Sequence, residues 1–240
     1  MIQHHDIEIN SFTEFVAWVD DHVTSGMIFR GQKLASWGLV PSIQRKGVVN
    51  VEWPNERLAC ERKMLGQFKR HARPYLTEAP SDDWEWLALA QHHGLPTRLL
   101  DWTEHAAAAL YFAIQLPNNY QPSAVWCADK LYNVALSKYL PFNIDSIVLY
   151  EPPHIEPRIT VQRACFTAHP TDYIGKEYVW PGPLFKLTIP ASARVNIRGT
   201  LRSMGIHRAT LFPDLDGIAE EIERRNSVVL DEPTTPTSEL

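Results

Sequence analysis

The chain has 240 residues, enough for one large domain or two small ones with a core to match. Hydrophobic residues make up 45% and charged residues 21%, and the formal net charge is −5; this is ordinary globular composition and does not point to electrostatic nucleic-acid binding. Three widely spaced cysteines, Cys60, Cys127 and Cys165, argue against a disulfide framework, and the absence of an apolar run of roughly 18 residues argues against a membrane helix.

Ser11 with Glu14 forms a capping box and opens a helix to about His22, with Phe12, Phe15, Val16 and Val19 on one apolar face. Met27–Arg30 reads as a short strand after the Ser25-Gly26 break, and Trp37–Arg45, with Pro41 and Ser42, as a loop. Asn55 caps a helix to about His71 with Leu58, Leu65 and Phe68 inside. Pro80–Asp83 starts another, which Gly94 and Pro96 stop. Thr97–Leu100 fits a strand or tight connection, and Thr103 fits the N-cap of an Ala-rich helix, Glu104–Leu116.

From there strands are expected at Ala124–Ala128, Ser146–Tyr150, Ile159–Thr167, Leu184–Ile189 and Val195–Ile197. A last helix, about Asp214–Arg225, is expected to bury Leu215, Ile218 and Ile222, and the tail from Asp231 to Leu240 to be disordered. The expectation is one α+β domain over residues 1–230, a helical N-terminal half packed on a mainly antiparallel sheet. Met1–Asn10 has neither a basic patch nor an apolar run, so no signal peptide and a cytoplasmic location are expected.

The common catalytic signatures are missing: no GxGxxG after a strand, no GxxxxGK[ST], no GxSxG and no HExxH. His92 and His93 diverge by about a hundred degrees on a helix and cannot chelate one ion together, and no metal is expected. The chemistry concentrates instead in Gln91–Ala113, which contains Arg98, Asp101, Trp102 and Thr103. Arg98 and Asp101 fit either a structural ion pair or a site, with Arg30 as a third partner. Trp102 fits a pocket wall or a stacking platform. His93 fits a helix-end cation, and Arg45 fits either an anion contact or a solvated surface arginine.

Three pieces together resemble one family. Phe29-Arg30-Gly31-Gln32 with Trp37–Ser42 and Arg45 is similar to the start of the FRG domain, named for its Phe-Arg-Gly triplet. Gln91–Ala113 resembles its most distinctive block, and Gln162, Phe166 and His169 its third motif. The end, Gly205–Ile222, is similar to the way these domains finish, so the resemblance runs from about Phe12 to Arg225. The family is met mostly in bacteria and phages, which implies a role in bacterial or phage defence or as a toxin.

A more distant resemblance, to ADP-ribosyltransferases of the Arg–Ser–Glu type, implies a split sheet, NAD as substrate and Arg30, Asp101-Trp102-Thr103 and Gln162 in the three motif places. Arg30 would hold an NAD phosphate or ribose as a forked donor, with Gln32, Arg45, His93, Arg98, Trp102, Thr103 and His169 as binding residues. Gln162 stands where that class has Glu, and an amide supplies no negative charge; Asp101 is the alternative carboxylate. A non-catalytic module binding a nucleotide or a protein partner is the competing reading. A hydrolase using Asp101 with His93 or His169 is a third.

Overall fold

The computed structural model describes residues 5–24, 26–45, 47, 54–115, 120–131, 140–152, 161–170 and 180–226. The elements in chain order are β1 (His5–Glu8), α1 (Phe12–His22), β2 (Met27–Gln32), α2 (Pro54–Ala72), α3 (Asp83–His92), β3 (Leu99–Thr103) and α4 (Ala106–Ala113). They continue with β4 (Ser123–Asp129), β5 (Val148–Tyr150), β6 (Ala164–Ala168), β7 (Leu184–Ile189), α5 (Arg194–Ser203), α6 (Arg208–Leu211) and α7 (Leu215–Asn226). The strands form one seven-stranded sheet in the order β1-β7-β4-β2-β3-β6-β5. Every neighbouring pair is antiparallel except β1 with β7. The fold is α+β.

Alternation along the strands sorts the core onto two faces. Met27, Phe29, Val125, Cys127, Leu187 and Ile189 face α1, α4 and α5. Leu99, Val148, Tyr150, Phe166 and Ala168 face α2 and α3. Because Phe29 is in register with Thr103, both clusters lie on the same side of the sheet, one under each half. Ile28, Leu100, Trp102, Trp126 and Leu149 make the core of the opposite face. Cys127 and Cys165 are buried in these clusters, and burial pushes both thiols up to about 12, as expected of inert core residues.

The helix starts follow local chemistry. Ser11 Oγ accepts from Glu14 N at 3.1 Å, while Glu14 Oε2 accepts from Asn10 N at 2.8 Å, so the box closes one residue earlier than its usual form. Asp82 caps α3 through Glu85 N, and Gly94 ends it at φ +83°, a conformation that favours glycine.

Several expectations are corrected. On α1 the buried pair is Phe15 with Trp18, and Val16 is exposed. Thr103 ends β3 rather than capping α4; its Oγ1 still accepts from His105 N at 2.9 Å. Val195–Ile197 is helical, because Arg194, Ile197 and Leu201 recur at helical spacing on the buried side of α5. Val161 and Gln162 form a helical turn, and Arg163 at φ 45° leads into β6, so the strand begins only at Ala164. On α7 the buried residues are Gly217 and Glu221, while Leu215, Ile218 and Ile222 are exposed. Strand β1 was not expected. Leu116 and the tail from Asp231 to Leu240 lie outside the described residues, and none of the described helices is long and apolar enough to cross a membrane.

Candidate ligand-binding cleft

Strands β2 and β3 share one register pair, Phe29 with Thr103. On their outer edges β2 is paired along its length with β4, and β3 with β6, so beyond that pair the sheet opens between two well-held strands. Two side chains meet the β3 carbonyls that β2 leaves unpaired. Arg30 Nη1 donates to the Asp101 carbonyl oxygen at 2.6 Å, and Gln91 Nε2 donates to that of Leu99 at 3.3 Å. These bonds give the two strand carbonyls partners where the sheet parts, and so hold the split open.

The opening forms a cavity of about 490 Å³, the size of a small-molecule site. Arg30, Lys33 and Arg45 supply positive charge to its lining, and Asp101 is its carboxylate. Trp37, Phe112, Phe166 and Phe212 supply flat apolar surface. Gly31 belongs to the same wall. A Cβ there would overlap the Ala109 carbonyl oxygen of α4 and lie 2.7 Å from Ala113 N, so only glycine lets α4 pack this close to the cleft.

Arg30 is 13% exposed, and its Nη1 also reaches Asp101 Oδ2 at 3.3 Å; the Asp101 side chain is 58% exposed. Gln91 Nε2 approaches the same carboxylate at 3.3 and 3.2 Å. Arg45 is anchored through Nε to the Val40 carbonyl at 3.1 Å. Burial and then the neighbouring Arg30 guanidinium lower the Arg45 pKa, while Asp101 raises it. Arg45 thus feels both the Arg30 guanidinium and the Asp101 carboxylate, while the ion pair itself is made by Arg30.

Of the residues singled out from sequence, Arg30, Gln32, Arg45, Asp101, Trp102, Thr103 and Gln162 line this cavity. Gln32 has both ends of its amide engaged, donating to Gly38 O at 3.1 Å and accepting from Trp126 Nε1 at 2.7 Å. Trp102 is 2% exposed and donates through Nε1 to Thr167 Oγ1 at 2.9 Å, which makes it a back wall. Gln162 donates to the Leu211 carbonyl at 2.9 Å, and its own carbonyl accepts from Thr103 Oγ1. Three residues stand elsewhere. His93 sits past the end of α3 with its ring 6.3 Å from that of Phe68. His169 is 1% exposed, with Nε2 2.9 Å from Thr167 Oγ1. Arg98 pairs not with Asp101 but with Glu61 of α2, Nη2 to Oε2 at 2.7 Å, both side chains 1% exposed.

Sequence reasoning passed over Glu61 and Gln91. Glu61 lies between Leu58 and Leu65 at helical spacing, the signature of a carboxylate on an inward face. Gln91 lies in the last turn of α3 and gave no signal beyond the block around it. Among the described residues no group of three or more His, Cys, Asp or Glu side chains is placed to hold a metal ion.

Fold and site together define an α+β domain with a ligand-sized cleft in a split antiparallel sheet. Residues 25–121, about two fifths of the chain, match the family model of the FRG domain, and an FRG domain is therefore present. The matched segment contains β2, β3 and α4 with Arg30, Arg45, Gln91 and Asp101. The pieces around Gln162 and His169 and the Gly205–Ile222 end lie beyond it. No curated protein and no solved structure matches the chain.

Proposed function

We propose that the cleft binds a nucleotide-type ligand, NAD or ADP-ribose in the first instance. The observation that carries this reading is a local inversion of charge: Arg30, Lys33 and Arg45 stand against Asp101 in the lining, in a chain of formal net charge −5. Cations at that density suit phosphate, and Trp37, Phe112 and Phe212 offer faces on which a base or nicotinamide ring can stack. A catalytic version of the reading, cleavage of NAD or transfer of ADP-ribose to a protein target, assigns the carboxylate role to Asp101. Gln162 is an amide already committed to Leu211. A defence or toxin role is the setting that the FRG resemblance implies.

Calorimetric titration of wild type and Arg30→Lys with NAD and ADP-ribose tests the binding. Lysine keeps the charge and loses the planar fork, so affinity should fall by about 1.5–3 kcal/mol with the melting temperature little changed. No heat from wild type with either compound contradicts the reading. Release of nicotinamide from NAD in a parallel incubation separates an enzyme from a binding module.

A further inference from the structure

Among the described residues lining the cleft, Asp101 is the only carboxylate, and so the only anionic side chain, which repels phosphate. A carboxylate accepts hydrogen bonds and donates none; the part of a nucleotide that meets it must carry donors. Asp101 is exposed to the cleft yet held in place, by Arg30 Nη1 on Oδ2 at 3.3 Å and by Gln91 Nε2 at 3.3 Å from Oδ1 and 3.2 Å from Oδ2.

The Gln91 amide has only one orientation consistent with its neighbours. The Leu99 carbonyl and the Asp101 carboxylate only accept, so both require the amide nitrogen, and Thr97 Oγ1, which accepts from Leu99 N at 3.1 Å, donates to Gln91 Oε1 at 2.5 Å. The amide oxygen therefore faces Thr97 and the amide nitrogen faces Asp101. Thr97 is pinned in turn. Its N–H donates to Ser42 Oγ at 3.1 Å, and its carbonyl accepts from Ser42 Oγ and from Ile43 N, each at 3.2 Å. A part-buried relay of this kind fixes one acceptor geometry in an otherwise open cleft.

Resting on the nucleotide reading, we propose that Asp101 is the subsite for a vicinal diol, so that the ligand selected is a ribonucleotide and not its deoxy counterpart. The 2′- and 3′-hydroxyls each donate to one carboxylate oxygen. The phosphates meet Arg30, Lys33 and Arg45, and the base lies against the aromatic wall. Gln91 is a positioning residue for this subsite.

Calorimetric titration with ADP, 2′-deoxy-ADP and 3′-deoxy-ADP, on wild type, Asp101→Ala and Gln91→Met, reads the claim directly. Wild type should bind ADP at least about tenfold more tightly than either deoxy compound, since each loses a hydrogen bond to a charged acceptor. Asp101→Ala should bind all three alike. Gln91→Met should retain only part of the preference with its melting curve recorded alongside; a purely structural role would weaken all three ligands in proportion and leave their ratios intact. Equal affinities in wild type, or an undiminished preference in Asp101→Ala, overturn the proposal while the nucleotide reading stands. No heat with ADP, NAD or ADP-ribose overturns that reading and this proposal with it.

Discussion

Arg98 and Arg30 are both arginines beside an acidic partner, and solvent separates their roles. Arg98 donates to Glu61 through Nη2 at 2.7 Å and through Nε at 3.0 Å, and to the Pro141 carbonyl through Nη1 at 2.7 Å. Its backbone N–H also donates to Glu61 Oε1 at 2.9 Å. Glu61→Gln leaves that guanidinium buried without its counter-charge, and should cost about 3–5 kcal/mol. Arg30 and Asp101 form an ion pair half open to water, worth about 0–1 kcal/mol, so Asp101→Ala should leave stability nearly unchanged. Urea denaturation of the two variants checks both. A large loss in Asp101→Ala would place that pair in the scaffold, and an unchanged Glu61→Gln would show that Arg98 finds another acceptor.

At the scale of elements, the site depends on α4 lying against β2 while β2 and β3 part. Gly31→Ala forces a methyl against the Ala109 carbonyl of α4. Overpacking of this kind costs about 1–3 kcal/mol, and the denaturation midpoint should drop accordingly; an unmoved midpoint would mean that α4 yields without strain. The same scale divides what the sequence made legible from what it did not. Caps, breaks and short apolar strands are written locally, so α1, α3, β2, β4 and β7 could be read from Ser11, Asp82, Gly94 and the runs at Met27, Ala124 and Leu184. Polar side chains gathered in the cleft were legible through motifs, which is how Arg30, Arg45, Asp101 and Gln162 came to notice. Pairing across the chain was not. Glu61 lies 37 residues from Arg98, β1 takes its place only by joining β7 from the other end of the chain, and α7 turns its apolar residues outward while its Glu221 is buried and paired with Arg202 of α5.

Across the whole molecule, one buried histidine ties stability to pH. Burial, and secondarily Arg30, lower the His169 pKa from 6.5 to about 3. Between those values the unfolded chain takes up a proton that the folded protein does not. The stabilising contribution is therefore complete above about pH 6.5 and is lost as the pH falls towards 3. Unfolding free energies measured at pH 7 and pH 5 should differ by on the order of 1–2 kcal/mol more in wild type than in His169→Gln. Equal differences would assign the acid sensitivity to other groups.

The split between β2 and β3 as a nucleotide site is the claim on which the rest turns, and a crystal structure grown with ADP-ribose at saturating concentration tests it most directly. Density is expected between the two strands, with a phosphate within hydrogen-bond distance of Arg30 or Arg45 and a ring against Phe112, Phe212 or Trp37. An empty cleft, or ADP-ribose bound on another face of the sheet, would contradict it.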